Sequence, residues 1–486
     1  MQKLKTISFS VFLSLGTSTL AAQNLPAGYE VTDLGALDTV SSVTPTSFGY
    51  DINNSGQAVG ISEGRHTVEN QSENGVIVIE DINVAQPVDF NDLTREIMPY
   101  DREFGFGSTA TGMIGTSINE AGLISGFGVT SEEVFRFNNE AENEDDPVNC
   151  VQAEEPSLAT RRLGFYFDAA NTLTIIPNYT RPGLPLDEAE VEFTSSRVLD
   201  SNEDFLVGYA SRVTEKDDCN NTSELSERGF IYDLNTESVT LLPTLIDAED
   251  EDFTESESYI NRINANGDFV GRAMARNDND SLVFKGIMGH VSATEITEVP
   301  ALEGATFVQL YGINETATTV VGASNIRSDL RASYGYYVDV ETGTTTTLGF
   351  LKDSLKFSQA FDINTDNLII GISQITSSPS TFAPFIYDMD AAEPIMTDLN
   401  TLIDCDSGWI LGDVRAINDS GVIVGSGTFI DADGEPSVRA FKLTPRADAA
   451  DRSCEEEEES DDSSGSFGWG LLVLGFALGR RRFRKA

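Results

Sequence analysis

The sequence predicts an all-β fold: a seven-bladed β-propeller of four-stranded blades, closed by the N-terminal strand pairing in the last blade. Three observations carry this expectation. A hairpin motif, Ile-Asn followed by a Gly-containing turn and a terminal Val-Gly or Ile-Gly, recurs in seven variants along the chain. Several copies are followed by an aromatic and β-branched run bounded by Gly and Asp. The chain also begins with a segment that matches a fourth strand and ends without one.

The copies are Ile52-Asn53-Asn54-Ser55-Gly56 running to Gly60, Ile118-Asn119-Glu120-Ala121-Gly122 to Gly126, and a looser Val198-Leu199-Asp200 to Gly208. They continue with Ile263-Asn264-Ala265-Asn266-Gly267 to Gly271, Ile313-Asn314 to Gly322, Ile363-Asn364-Thr365-Asp366-Asn367 to Gly371, and Ile417-Asn418-Asp419-Ser420-Gly421 to Gly425. The terminal glycines are 49 to 82 residues apart, a spacing that indicates a repeat architecture. An Asn-x-x-Gly stretch between apolar residues is a hairpin signal, because glycine accepts the positive φ of a tight turn. Third strands are read at Gly229-Phe230-Ile231-Tyr232-Asp233, Gly335-Tyr336-Tyr337-Val338-Asp339 and Pro384-Phe385-Ile386-Tyr387-Asp388. Fourth strands are read at Thr344 to Leu351 and Val239 to Leu245.

At the ends, Tyr29-Glu30-Val31-Thr32-Asp33-Leu34-Gly35-Ala36-Leu37 matches Thr347-Leu348-Gly349-Phe350-Leu351, whereas the last repeat stops at a third strand near Arg439-Ala440-Phe441-Lys442-Leu443. Pairing the two would leave no open sheet edge. A β-solenoid has much shorter coils, and a pair of sandwiches would not repeat one hairpin throughout. The turn before each Val-Gly is tight, so length variation falls on the opposite face, in Phe90–Gly112, Thr130–Leu163, Pro177–Phe193 and Ala210–Arg228. Those stretches read as long loops, and such a face is where a propeller is expected to bind. The acidic run Glu140 to Asp146 within them reads as solvated padding.

The 486-residue chain divides into a signal peptide (1–22), the repeat array (23–445), an acidic linker (446–466), a short hydrophobic segment (467–479) and a basic tail (480–486). Lys3 and Lys5, the apolar run Ile7 to Leu15, and Thr19-Leu20-Ala21-Ala22 have the order of a secretory leader, with cleavage by signal peptidase expected after Ala21 or Ala22. The net charge is −48; setting aside the seven basic residues of the two terminal segments leaves 24 basic against 79 acidic residues, a charge of −55. Such a surface repels nucleic acid and anionic lipid. Divalent cations are the one partner class it invites.

Four cysteines in an exported chain imply two disulfides. Cys150 and Cys219 lie in equivalent loops before consecutive third strands and are expected to pair, leaving Cys405 to pair with Cys454.

No nucleophile elbow, zinc-protease helix, Walker loop or dinucleotide fingerprint occurs, and the two histidines, His66 and His290, lie in no motif. No catalytic, cofactor-binding or metal residue is assigned and no cofactor is expected. Calcium is the weak candidate, because Asp51 to Gly56, Asp362 to Asp366 and Asp431-Ala432-Asp433-Gly434 mimic the start of a calcium loop. The first two lack the bidentate Glu at the twelfth position, so turn chemistry explains them better.

The repeat resembles the bacterial HAF-type extracellular repeat over roughly residues 29 to 445, its His-Ala-Phe surviving as Arg439-Ala440-Phe441 and the Gly-aromatic runs. That resemblance brings no activity with it. The tail resembles the GlyGly-CTERM sorting signal: Gly465-Ser466 stand where that family has its glycine run, followed by Gly468, Trp469 and the apolar segment, then Arg480, Arg481 and Arg482. This implies transient inner-membrane anchoring, processing by a rhomboid-type protease and delivery to the cell surface through type II secretion. The segment itself is 13 residues long, an α-helix of roughly 20 Å against about 30 Å of hydrocarbon, too short for a permanent anchor. The expected function is a secreted or surface module, non-enzymatic, that binds an extracellular ligand or serves structurally through its long-loop face. The alternative is a secreted hydrolase using carboxylates on glycans or another extracellular polymer.

Overall fold

The structure is a computed structural model. It describes residues 25–40, 44–71, 77–93, 113–134, 137–139, 150–152, 157–168, 170, 172–176, 193–216, 222–243, 245–246, 257–277, 279–292 and 295–453. The signal segment, the Glu140–Asp146 run, most of Phe90–Gly112 and Pro177–Phe193, and everything from Cys454 through the sorting tail lie outside the described residues.

The fold is all-β. The chain opens with β1 (Gly28–Gly35) and continues with β2 (Ser47–Ile52), β3 (Ala58–Gln71) and β4 (Ile77–Asp89). Next come β5 (Met113–Ile118), β6 (Ile124–Val134), the small pair β7 (Phe137–Asn139) and β8 (Cys150–Gln152), then β9 (Ser157–Phe167) and β10 (Leu173–Ile175). The middle of the chain supplies β11 (Phe193–Ser201), β12 (Phe205–Lys216), β13 (Thr222–Asp233) and β14 (Ser238–Leu241), followed by β15 (Ser258–Ile263), β16 (Asp268–Arg276), β17 (Leu282–His290) and β18 (Thr297–Glu298). After these run β19 (Ala305–Ile313), β20 (Thr319–Ile326), β21 (Asp329–Asp339) and β22 (Thr344–Thr347). The last elements are β23 (Ser358–Ile363), β24 (Leu368–Ser377), β25 (Ser380–Asp388), β26 (Thr397–Asp398), a 3-10 turn at Leu399–Leu402, β27 (Trp409–Ile417), β28 (Ile423–Ile430) and β29 (Pro436–Arg446).

Each repeat is an antiparallel meander. The four-stranded sheets are β5-β6-β9-β10, β11-β12-β13-β14, β23-β24-β25-β26 and β27-β28-β29-β1, and the described part of the first repeat is β2-β3-β4. An eight-stranded sheet divides into β15–β18 and β19–β22, joined by a single parallel pair, Phe284 opposite Phe307. As the ends of the sequence predict, β1 lies antiparallel to β29, from Gly28 opposite Arg446 to Asp33 opposite Phe441. The first strand of the chain thus completes the last sheet and covers the edge of β29.

Three readings are corrected. Thr130–Leu163 is not a loop: β6 runs to Val134 and β9 starts at Ser157, with the β7–β8 pair between them. Ala210–Arg228 is not a loop either, because β12 and β13 stay in register from Ala210 opposite Arg228 to Lys216 opposite Thr222. Ladder hydrogen bonds are made by backbone groups, so an acidic composition does not prevent a ribbon from continuing beyond the packed sheet. The fourth strands are also shorter than read, ending at Leu241 and Thr347.

The core is divided into slabs between sheets. Among the described residues each of seven apolar clusters draws on two successive repeats, as where Val207, Ile231 and Leu242 meet Ile260, Phe269 and Ile287. One cluster joins the last repeat to the first, packing Ala416, Val424 and Ala440 against Ile52, Ala58 and Val88. Each large apolar side chain so buried contributes roughly 1.5–3 kcal/mol relative to exposure.

The terminal glycines of the motif have one cause. In every repeat the first strand carries a bulge, for instance between Ala360 and Asp362, which pushes a carbonyl toward the second strand. A Cβ on Gly371 would lie 1.9 Å from the Gln359 carbonyl oxygen, and one on Gly126 1.9 Å from that of Ile114. A polar staple also links successive repeats: the backbone N–H of Gly164 donates to Ser196 Oγ, Gly229 to Ser258, Gly335 to Ser358 and, across the ends of the chain, Ala440 to Ser47.

Candidate functional site

The motif asparagines form a network that links successive repeats, broken only after Asn314. Each Oδ1 accepts the N–H that closes its own turn, as from Gln57 to Asn53 at 2.9 Å and from Leu368 to Asn364 at 3.0 Å. Each Nδ2 then reaches the next repeat: Asn53 donates to the Asn119 carbonyl, Asn119 to that of Asn202, Asn202 to Asn264 and Asn264 to Asn314, all at 3.0–3.1 Å. Asn364 donates to the Asn418 carbonyl and Asn418 back to that of Asn53, both at 3.1 Å. Only Asn314 departs, donating to Thr318 Oγ1. Asparagine alone combines a donor with an acceptor at this reach, since Asp has no amide donor. In the looser third copy, Asn202 takes the asparagine position and Ser201 that of the isoleucine.

One residue before the isoleucine position, the bulges place Asp51, Ser117, Asp200, Arg262, Gly312, Asp362 and Ala416. Arg262 is the single cation among them, and it holds three carboxylates from three other repeats. Its Nη2 is 2.9 Å from Asp362, its Nη1 3.4 Å from Asp51 and its Nε 3.6 Å from Asp200. The arginine side chain is 22% exposed and the aspartates 4–5%. Each aspartate also accepts a backbone N–H from the following repeat, Ile118 to Asp51, Ile263 to Asp200 and Ile417 to Asp362, at 2.8–3.0 Å. Ser117 Oγ adds a 2.8 Å bond to Asp200. Burial pushes the carboxyls of Asp200 and Asp362 up to about 6, against the pull of Arg262. Desolvation lowers the guanidinium's pKa, but the three carboxylates outweigh it and raise it, so Arg262 stays charged.

These residues floor a polar cavity of about 360 Å³ at the tight-turn end of the repeats. Its lining includes Glu120, Glu203, Asp204, Glu315 and Asp419 as well as the three inner aspartates, with Arg262 the one basic residue. The rim acids also brace the turns: Glu120 accepts the Asn54 N–H at 2.8 Å, Glu315 that of Ala265 at 3.2 Å and Asp419 that of Thr365 at 3.1 Å. Burial raises the Glu315 carboxyl. Each inner carboxylate is thus engaged both by Arg262 and by a backbone donor.

Sequence reasoning missed this cavity, having looked to the long-loop end. Of the calcium-loop look-alikes, Asp51 and Asp362 belong to the Arg262 cluster, and Asp431 closes its own turn by accepting the N–H groups of Asp433 and Glu435. Among the described residues no group of three or more His, Cys, Asp or Glu is arranged to hold a metal. His290 bonds Ser292 and the Asn266 carbonyl in a turn. Cys405 is disulfide-bonded. Cys150 opens β8, while the Cys150 side chain, Cys219, Cys454 and the sorting residues Gly465, Ser466, Gly468, Trp469 and Arg480 to Arg482 lie outside what is described. The segment leading to Cys454 folds back over the 3-10 turn. Arg446 pairs with Asp404, Arg452 donates to the Asn400 and Ile403 carbonyls, and the Cys405 N–H donates to the Asp451 carbonyl at 2.9 Å.

No protein-family model and no curated protein matches the chain. Among solved structures it is similar to TolB from Acinetobacter baumannii, at 11% identity over 80% of each chain with a TM-score of 0.30. It is also similar to a protein of unknown function from Dyadobacter fermentans, at 12% identity over 71% of this chain and 96% of that one with a TM-score of 0.34. A glycoside hydrolase shares 10% identity over 52% of this chain and 87% of its own, with a TM-score of 0.26. Likenesses this distant carry no argument about what the chain does.

Proposed function

We propose that the repeats are the seven blades of a closed β-propeller that serves as a non-enzymatic binding module outside the cell. The observation that carries the ring is the return of the asparagine network from Asn418 to Asn53, alongside the pairing of β1 with β29. The clusters of apolar residues between successive repeats, last to first included, support the same reading. The tight-turn end is then the clasp of the ring, its inner carboxylates committed to Arg262 and to backbone donors. Ligand binding is assigned to the opposite face, toward which the β3–β4, β6–β9 and β12–β13 ribbons extend.

The competing reading, a carboxylate-dependent hydrolase, draws on the acidic lining of the cavity. A screen of glycan and peptide substrates against the purified protein separates the two. The binding reading expects retention without turnover; turnover abolished by replacing one acid would overturn it. For export, the reading is a cleaved leader, transient anchoring by 467–479 and release at the surface, with Cys405 joined to Cys454 and Cys150 to Cys219. Intact mass of protein recovered from the surface or medium is expected to lack Trp469 and everything after it, and a mass that still includes Arg480 to Ala486 would overturn the sorting reading.

A further inference from the structure

On the first, second and third strands of successive repeats lies a second arc of side chains, rich in arginine and aromatic rings. It begins with Arg197, whose guanidinium lies 5.4 Å from the Phe127 ring and 5.1 Å from that of Tyr209. Tyr209 packs edge-on against Tyr259 at 4.8 Å, and Arg272 covers Tyr259 at 4.2 Å, Phe284 at 4.5 Å and Phe307 at 5.1 Å. Tyr311 follows, packed on Phe361 at 5.5 Å, with Arg415 4.9 Å over the same Phe361. Burial raises the Tyr311 phenol, and Arg272 and Arg415 both act electrostatically against that rise. The arc crosses several successive repeats, from Phe127 in the second to Arg415 in the last.

Its charges are unlike those of the rest of the molecule. In a body with 79 acids, Arg197 and Arg272 have no carboxylate partner among the described residues: Arg272 Nη1 donates to Gln309 at 3.0 Å, its buried Nε has no partner, and Arg197 donates to the Tyr209 hydroxyl. The carboxylates that do reach the arc are bound within it to groups other than Arg197 and Arg272, Asp413 on Arg415 and Glu227 and Glu257 on the Tyr259 hydroxyl. Guanidinium groups flattened on aromatic faces keep their edge N–H donors free for a planar, bidentate acceptor.

We propose that this arc binds a carboxylate-bearing sugar, a hexuronate unit or short oligomer. Its carboxylate sits on the edge of Arg272 beside Gln309, the apolar face of its ring lies on Tyr311, and Arg197 receives a second carboxylate. A long polyanion does not suit the site, because the surrounding surface repels it. The inference rests on the binding-module reading and names the class of ligand.

The test is calorimetric titration with digalacturonate and with its uncharged methyl ester. The acid is expected to bind, weakening as salt rises, and the ester to bind at least tenfold more weakly. Arg272→Met, which keeps the stem packed on the rings, and Tyr311→Ala are each expected to cost at least tenfold, with the melting transition checked alongside. Equal binding of acid and ester, no binding of the acid, or unchanged binding by a folded Arg272→Met variant would overturn the proposal. If that variant does not fold, the acid-to-ester ratio on the unaltered protein decides alone. Neutral glycans or peptides retained without regard to Arg272 would remove this site while leaving the module reading intact, whereas turnover of a substrate would remove the module reading.

Discussion

Replacing Arg262 by methionine keeps most of the side-chain volume and removes the charge that three buried aspartates share. Asp51, Asp200 and Asp362 come from the first, third and sixth repeats, so one substitution strikes contacts that cross the whole assembly. Removing one partner of a buried ion pair costs about 3–5 kcal/mol, because the carboxylates left behind are desolvated and uncompensated. Part of that loss is recoverable by protonation, and the sign follows from the pKa values. Asp200 and Asp362 already titrate near 6 in the folded protein, above the ordinary value of 3.8, so the folded state binds more protons than the unfolded one in between. Their contribution to stability is therefore fully present below about pH 4 and is lost as pH rises through about 6. Without the guanidinium these carboxyls should move higher still, which makes the variant more dependent on acid than the parent. Urea unfolding at pH 5 and pH 8 provides the assay. Arg262→Met is expected to lose about 3–5 kcal/mol at pH 8 and clearly less at pH 5. A loss of under about 0.5 kcal/mol at pH 8, the size expected of an unremarkable surface substitution, would refute the argument.

Two glycines are glycine for different reasons, and replacing either should destabilise the fold. Gly371→Ala places a Cβ against the Gln359 carbonyl and should cost about 1–3 kcal/mol by overpacking a bulge that all seven repeats share. Gly56→Ala meets no atom within 4 Å, and its cost of roughly 1–2 kcal/mol comes only from a φ of +84°; thermal melts of both variants check this, and an unaffected Gly371→Ala would overturn the bulge explanation. Non-reducing peptide mapping should join Cys405 to Cys454, because the Asp404–Arg446 pair and the Cys405–Asp451 backbone bond bring the segment that ends there alongside Cys405. Finding Cys405 linked to Cys150 or Cys219 would contradict that.

Much of the architecture was legible because each repeat advertises its hairpin twice, by an asparagine whose amide closes the turn and by glycines that a side chain would block. Four turn glycines, Gly56, Gly122, Gly267 and Gly421, do take positive φ, while Ala317 and Asn367 adopt it without being glycine. The pairing of β1 with β29 was readable from the match between its sequence and a fourth strand. The extended ribbons were not, since residues such as Glu224 and Glu227 carry no apolar alternation and backbone pairing leaves no compositional mark. The Arg262 cluster was hidden for a different reason. Its members stand at one repeat position that reads Asp, Ser, Asp, Arg, Gly, Asp, Ala, and only placing the copies side by side reveals a lone cation among three acids. The arginine–aromatic arc spans residues on first, second and third strands of different repeats, a juxtaposition that exists only in the fold.

The central claim is that the first repeat closes against the last. In the structure Asn54 Nδ2 donates to Asp419 Oδ2 at 3.0 Å and the Asp419 N–H donates to Asn54 Oδ1 at 2.9 Å, although 365 residues separate them. Cysteines placed at both positions, Asn54→Cys with Asp419→Cys, should cross-link within one chain under oxidising conditions. Peptide mapping of the monomer is expected to recover the joined pair, and a fully oxidised monomer with those two cysteines unlinked would contradict the ring.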